Sequence, residues 1–205
     1  MQPRSAEERR AELVQLYREA EVCARCPLSK TRTKVVFGSG NADADLMFVG
    51  EAPGMHEDQQ GLPFVGRAGQ LLTKLLEEIG MSREDVFIAN VLQSRPPGNR
   101  DPQPDEIDAC KPFLHRKIEL IEPTVVCTLG NFSTKLLTRS QRGITSVHGR
   151  PQVHELGGRL LRVFPLFHPA AALYNNSMRQ TLIDDFAQIP DILKLIDSKN
   201  SNDSK

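Results

Sequence analysis

The chain has 205 residues, 39% of them apolar and 25% charged, enough for one compact domain with a real core. Its 26 basic and 26 acidic side chains cancel. That argues against loose, sequence-independent coating of nucleic acid and leaves a local basic patch as the way to bind a polyanion. No apolar run is long enough to span a membrane, and Met1 to Arg10 lacks the apolar stretch of a secretory signal, so a cytoplasmic location is expected.

Ser5 and Glu8 form a capping-box pattern ahead of Leu13, Leu16, Tyr17 and Ala20, which predicts a helix over Ser5 to Ala20. Cys23-Ala-Arg-Cys26-Pro27 breaks it. Val35-Val36-Phe37 is a short apolar run closed by Gly38, Gly40 and Asn41. Leu46 to Val49 reads as a buried strand, followed by the turn Gly50-Glu51-Ala52-Pro53-Gly54 and a polar Gly- and Pro-rich loop to Gly66. Leu71, Leu72, Leu75, Leu76 and Ile79 form the stripe of a helix from about Ala68 that Gly80 ends. Val86 to Leu92 is a strand, Asp105 to Leu120 a helix, Thr124 to Leu129 a strand and Asn131 to Leu137 a short helix. Leu161 to Phe167 is the last strand, with His168-Pro169 past its end. Ser177 and Gln180 suggest the cap of a C-terminal helix, with a kink or restart at Pro190.

Strands alternating with helices predict a three-layer α/β/α sandwich around a mostly parallel, four-stranded sheet, as one domain over 1–197 with 198–205 as a disordered polar tail. Ligands in such folds bind beyond the carboxyl ends of the strands. The informative segments follow Val49, surround Asn90, and follow Leu129 and Phe167.

Each candidate also has a purely structural reading. Gly50 to Gly54 is a tight turn bearing one carboxylate. Phe64, between two glycines, is either a core plug or an aromatic placed to stack on a nucleobase. Asn90 lies in an apolar strand, where an amide must find partners; its adjacent donor and acceptor also match the N3–H and O4 of uracil. His168 is a capping residue or a neutral imidazole that donates to a developing oxyanion. Arg95, Arg100, Arg142 and Arg150 flank turns as solvated charge or as phosphate contacts. Cys23 and Cys26 suggest a metal, an iron–sulfur cluster or a redox site, because a reduced cytoplasm disfavours a structural disulfide. Cys110 is compatible with closing that site, whereas Cys127 reads first as a small core residue.

In order and spacing, the chain resembles the family 4 uracil-DNA glycosylases, the iron–sulfur type. The matching pieces are Gly50-Glu-Ala-Pro-Gly54 with Glu57-Asp58, then Gly61-Leu-Pro-Phe-Val-Gly-Arg-Ala-Gly69, then Asn90-Val-Leu-Gln-Ser-Arg-Pro-Pro-Gly-Asn-Arg100. Leu129-Gly130 and Phe167-His-Pro-Ala-Ala-Ala-Leu173 complete the set. The resemblance implies a DNA-repair hydrolase that flips uracil out of DNA and releases it. Phe64 would stack on the base, Asn90 read its amide edge and His168 stabilise charge at O2. Glu51, with the backbone of Gly50 and Ala52, would line the pocket and orient water, and Leu173 would wedge into the base stack. Arg95 and Arg100 are the expected DNA contacts. The aspartate of better-known glycosylases is replaced by Ala52. The aromatic that excludes the thymine methyl is replaced by Gly54, with Glu57 as a weak candidate for that task.

The resemblance also implies a 4Fe-4S cluster on Cys23, Cys26 and Cys110, with Ser94 where the family has its third cysteine. Three outcomes stay open: Ser94 or water in that position, substitution by Cys127, or no stable cluster. The expectation is an altered cluster with a structural role. The rivals are a uracil-DNA binding protein without turnover, a cluster-bearing redox protein, and a glycosylase acting on another deaminated base. No basic insertion follows the asparagine strand, where Ser94 runs straight into Arg95-Pro96-Pro97, and this favours turnover. A monomer is expected.

Overall fold

The computed structural model describes the backbone of residues 4–200, with side chains to residue 194. The helices are α1 Ala6–Glu21, α2 Met55–Gln60, α3 Arg67–Glu78, α4 Pro104–Ile121, α5 Asn131–Thr138, α6 Ile144–Val147, α7 Pro169–Ala172, α8 Asn176–Phe186 and α9 Ile189–Asn200. The strands are β1 Ser39–Gly40, β2 Leu46–Gly50, β3 Phe87–Asn90, β4 Val125–Leu129, β5 Gln152–Leu156 and β6 Arg159–Leu166. They form one sheet in the order β1-β3-β2-β4-β6-β5.

The four strands β3, β2, β4 and β6 run parallel, as the apolar runs predict. The expected strand count is corrected from four to six, because β1 pairs antiparallel with β3 and β5 antiparallel with β6. The link from β5 to β6 is the two-residue turn Gly157-Gly158, with φ +60° and +75°, a left-handed pair that suits a tight hairpin.

Side-chain alternation along each strand builds two cores. Met47 and Val49 of β2 face one side with Leu13, Leu16 and Ala20 of α1 and Leu114, Ile118 and Ile121 of α4. Leu46 and Phe48 face the other with Leu71, Leu72, Leu75 and Leu76 of α3 and Leu182 and Phe186 of α8. Period-two alternation makes β2 buried on both faces, so it reads as a continuous apolar run. Leu72 is fully buried, and trimming such a side chain to alanine costs about 2–5 kcal/mol. The three-layer α/β/α architecture is therefore observed.

Local signals hold at several ends. Ser5 and Glu8 make both bonds of the capping box that starts α1. The C-terminal helix is capped by Asn175, which accepts from the Met178 amide, rather than by Ser177. α8 stops at Phe186 and α9 restarts at Ile189 beside Pro190. Inside the expected loop 54–66 the chain instead makes α2, whose one buried residue is Asp58; its carboxylate takes the Thr33 amide. Of the stretch 198–205, residues 198–200 continue α9 and 201–205 lie outside the described residues. No described helix is long and apolar enough to cross a membrane.

Candidate active site

The strand order reverses between β2 and β4, the place where open parallel sheets leave a crevice for ligands. A pocket of about 340 Å³ opens near there, within the size range of small-molecule sites. Its walls include Glu51 and Ala52 after β2, Asn90 at the end of β3, His168 after β6, and Glu57, Phe64 and Arg100. The structure thus gathers Glu51, Ala52, Phe64, Asn90 and His168 from four separate segments.

Gly50 is what lets them meet. A Cβ there would lie 2.4 Å from Asn90 Oδ1 and 2.6 Å from Phe64 Cζ, so the amide and the ring both rest on bare Cα. Asn90 is 2% exposed. No side-chain hydrogen bond among the described residues engages its carboxamide, which faces the pocket. Its carboxamide atoms open to the pocket and are not sealed away without partners, so a ligand with a complementary donor and acceptor can take the place of water there.

Phe64 is buried, its ring 5.6 Å from that of His168 at 28°. Its backbone has φ +53°, a left-handed conformation that costs a bulky residue about 1–3 kcal/mol. The neighbouring peptides are fixed by Glu57, whose Oε1 accepts from the amides of Val65 and Gly66 at 2.9 Å each. Glu57 Oε2 lies against Gly54, where a Cβ would come within 2.7 Å. The sequence marks Glu57 as a motif member without revealing this pair of hydrogen bonds.

His168 caps α7. The Ala170 amide donates to its Nδ1 at 3.1 Å. An Nδ1 that accepts carries no proton, which assigns the Nε2–H tautomer to the neutral ring. Burial lowers its pKa to about 4, against an upward pull from Glu57, so the ring is neutral at physiological pH. The Glu51 carboxyl titrates above the usual range, first through burial and then through the charge of Asp101. The site therefore offers a neutral imidazole N–H, an unengaged amide, an aromatic face and a carboxylate with raised basicity.

Among the candidate DNA contacts, Arg95 donates to Asn99 Oδ1 at 2.7 Å. The Arg100 guanidinium grips Glu106 with two bonds, at 2.9 and 2.6 Å. Leu173 is half-buried and packs on the α3/α8 side of the core. Beside it Tyr174 is 80% exposed; Arg67 reaches its hydroxyl at 3.1 Å and lies over its ring at 5.4 Å.

Cys23 and Cys26 pack against the same core face as Cys110. The Cys110 thiol is raised by burial, eased by a bond from the backbone of Gln93, and raised further by the charges of Cys26 and Cys23. The Cys110 thiol thus feels both of the others. Ser94 is 3% exposed and its Oγ accepts from Arg32 Nη1 at 3.3 Å. Among the described residues no three His, Cys, Asp or Glu side chains stand close enough to hold one metal ion. A cluster asks for something wider, since each ligand binds a different iron; its ordinary donor set is four thiolates, and this core face offers three thiols among the described residues, with Ser94 buried in the loop after β3. Cys127 is corrected as a substitute ligand. It points to the opposite face of the sheet, among Phe48, Phe164 and Leu129.

Comparison with known proteins agrees with this geometry. The model of the family described as "Uracil DNA glycosylase superfamily" matches residues 37–189. The chain is 48% identical over 180 residues to the type-4 uracil-DNA glycosylase of Saccharolobus solfataricus, covering 85% of this chain and 83% of that protein. It is 44% identical over 189 residues to the type-4 uracil-DNA glycosylase of Thermotoga maritima, covering 90% and 97%. The corresponding Archaeoglobus fulgidus protein is 44% identical over 181 residues, covering 86% and 91%. With its strand-end pocket and a match over most of its length, the chain belongs to the uracil-DNA glycosylase superfamily.

Proposed function

We propose that this chain hydrolyses the N-glycosidic bond between uracil and deoxyribose in DNA, the first step of base excision repair. The observation that carries this reading is the pocket in which a buried aromatic ring, an unengaged carboxamide and a neutral imidazole converge. A base inside a duplex is out of reach, so uracil is flipped out at a cost of a few kcal/mol. Phe64 stacks on it, and the Asn90 amide pairs with its N3–H and O4. The bond to deoxyribose breaks with its electron pair moving to the base, and the Nε2–H of His168 meets the charge developing at O2. One such preorganised donor is worth about 10²- to 10³-fold in rate. Glu51 orients the attacking water. The Glu57 carboxylate, beside Gly54, is placed to disfavour the methyl of thymine.

Arg95, Arg100 and Leu173 are the DNA contacts of this reading, with Tyr174 beside them. Cys23, Cys26 and Cys110 would hold an iron–sulfur cluster, with Ser94 as the residue at the remaining ligand position. Such a cluster would cross-link the segment after α1 to α4, and through Ser94 to the loop after β3. The protein works as an intracellular monomer on chromosomal DNA.

The test is uracil release from single- and double-stranded oligonucleotides carrying one uracil, by the wild type and His168→Ala. Release by the wild type and a drop of 10²-fold or more in the variant are expected. Selective retention of uracil-DNA without release would make the protein a binder and overturn the enzymatic reading.

A further inference from the structure

Arg83 lies in the link between α3 and β3 and is not among the residues lining the pocket. Its guanidinium donates through Nη2 to the Pro63 carbonyl at 2.7 Å and through Nη1 to the Phe64 carbonyl at 3.1 Å. Among the described residues it makes no ion pair. Burial lowers its pKa, with only the charge of Glu84 opposing. A half-buried cation that holds two neutral carbonyls is an unusual arrangement, because a cation withdrawn from water normally finds a carboxylate.

The two carbonyls flank the strained residue of the pocket. Among the described residues four non-glycines have positive φ: Phe64, Asn99, Glu122 and Arg139. Of these only Phe64 is an aromatic buried in the core. Its carbonyl is also pressed by α3, where a Cβ on Gly69 would come within 1.7 Å of Phe64 O. The loop is thus held at two points: Glu57 takes the amides after Phe64, and Arg83 takes the carbonyls of Phe64 and of the residue before it.

We infer that Arg83 is a positioning residue for the base-stacking ring: its planar fork locks the Pro63-Phe64 backbone in the left-handed turn that lays Phe64 over Gly50 and against His168. The fork geometry matters, because a lysine can reach both carbonyls only as a mobile point charge. The inference rests on the reading of this pocket as a uracil site.

The experiment is a double-mutant cycle over Arg83→Ala and Phe64→Ala, repeated with Arg83→Lys in case the alanine variant folds poorly. It is read by the affinity for free uracil in calorimetry and by single-turnover release from single-stranded uracil-DNA. With Phe64 present, loss of Arg83 is expected to weaken uracil binding about tenfold, and without Phe64 less than about twofold, because contacting groups couple. Arg83→Lys should fall between wild type and Arg83→Ala. Equal losses in both backgrounds would make Arg83 a stability residue only, and no loss with Phe64 present would remove it from the site; either result overturns the inference. A wild type that binds no uracil would instead bring down the pocket reading and this inference with it.

Discussion

Adding a proton to His168 distinguishes a leaving-group donor, neutral throughout, from a histidine that shuttles protons. Burial holds the ring near a pKa of about 4, against an ordinary 6.5 and despite Glu57. At 1.36 kcal/mol per pH unit the gap is worth about 3 kcal/mol, an upper figure for a residue that keeps some solvent exposure. The sign follows from linkage. Below pH 6.5 the unfolded chain takes up the proton before the folded one. Stability is therefore intact above 6.5, declines as the pH drops toward about 4, and levels off below. In the folded state the new proton would sit on Nδ1, facing the Ala170 amide that now donates to it, so protonation also breaks the cap of α7. The assay is a titration of the His168 ring by NMR, assigned by its absence in His168→Asn, with urea unfolding of both proteins from pH 7 to pH 4. The ring is expected to titrate near 4, and the wild type to lose up to about 3 kcal/mol more than the variant over that range. Single-turnover uracil release should show no limb near 6.5. A ring titrating near 6.5, or a rate limb there that vanishes in His168→Asn, would refute the neutral-donor reasoning.

The raised pKa of Glu51 means that its ionised form is disfavoured in the fold. Stability is then lost as the pH rises through the folded value, so Glu51→Gln should have a higher urea midpoint than wild type at pH 8 and no advantage at pH 3.5, while uracil release falls by about 10²-fold or more. Gly69→Ala forces a methyl to within 1.7 Å of Phe64 O; about 1–3 kcal/mol of lost stability is expected, with uracil affinity falling as the ring shifts, and an unchanged affinity would show that the loop relaxes elsewhere. Tyr174→Ala removes a side chain that is 80% exposed beside the His168 segment. Release from duplex uracil-DNA should drop about tenfold, one base-stacking contact, while release from single strands stays within about twofold; equal drops on both substrates would deny Tyr174 a role in opening the duplex.

What was legible in the sequence follows from where burial is complete. β2 and β4 are buried at every position and so appear as unbroken apolar runs. β5 alternates in burial, with Val153 at 64% exposure, and only Gly157-Gly158 hints at the hairpin. α2 has no apolar stripe, since its buried contact is the Asp58 carboxylate, so composition gave it the look of a loop. The same division runs through the site. Glu51, Phe64, Asn90 and His168 were readable because their chemistry lies in side chains at strand ends or on the loops beyond. What sets their geometry is mostly backbone. The His168 tautomer depends on the amide of residue 170, which any residue except proline would supply. The close approach of both Phe64 and Asn90 to Gly50 depends on its missing Cβ. Arg83 acts on two carbonyls that every residue type carries, so no residue pattern can single it out. Substitutions that spare every reactive group yet shift this backbone frame, Gly69→Ala above all, should therefore impair uracil binding nearly as much as loss of the stacking ring itself.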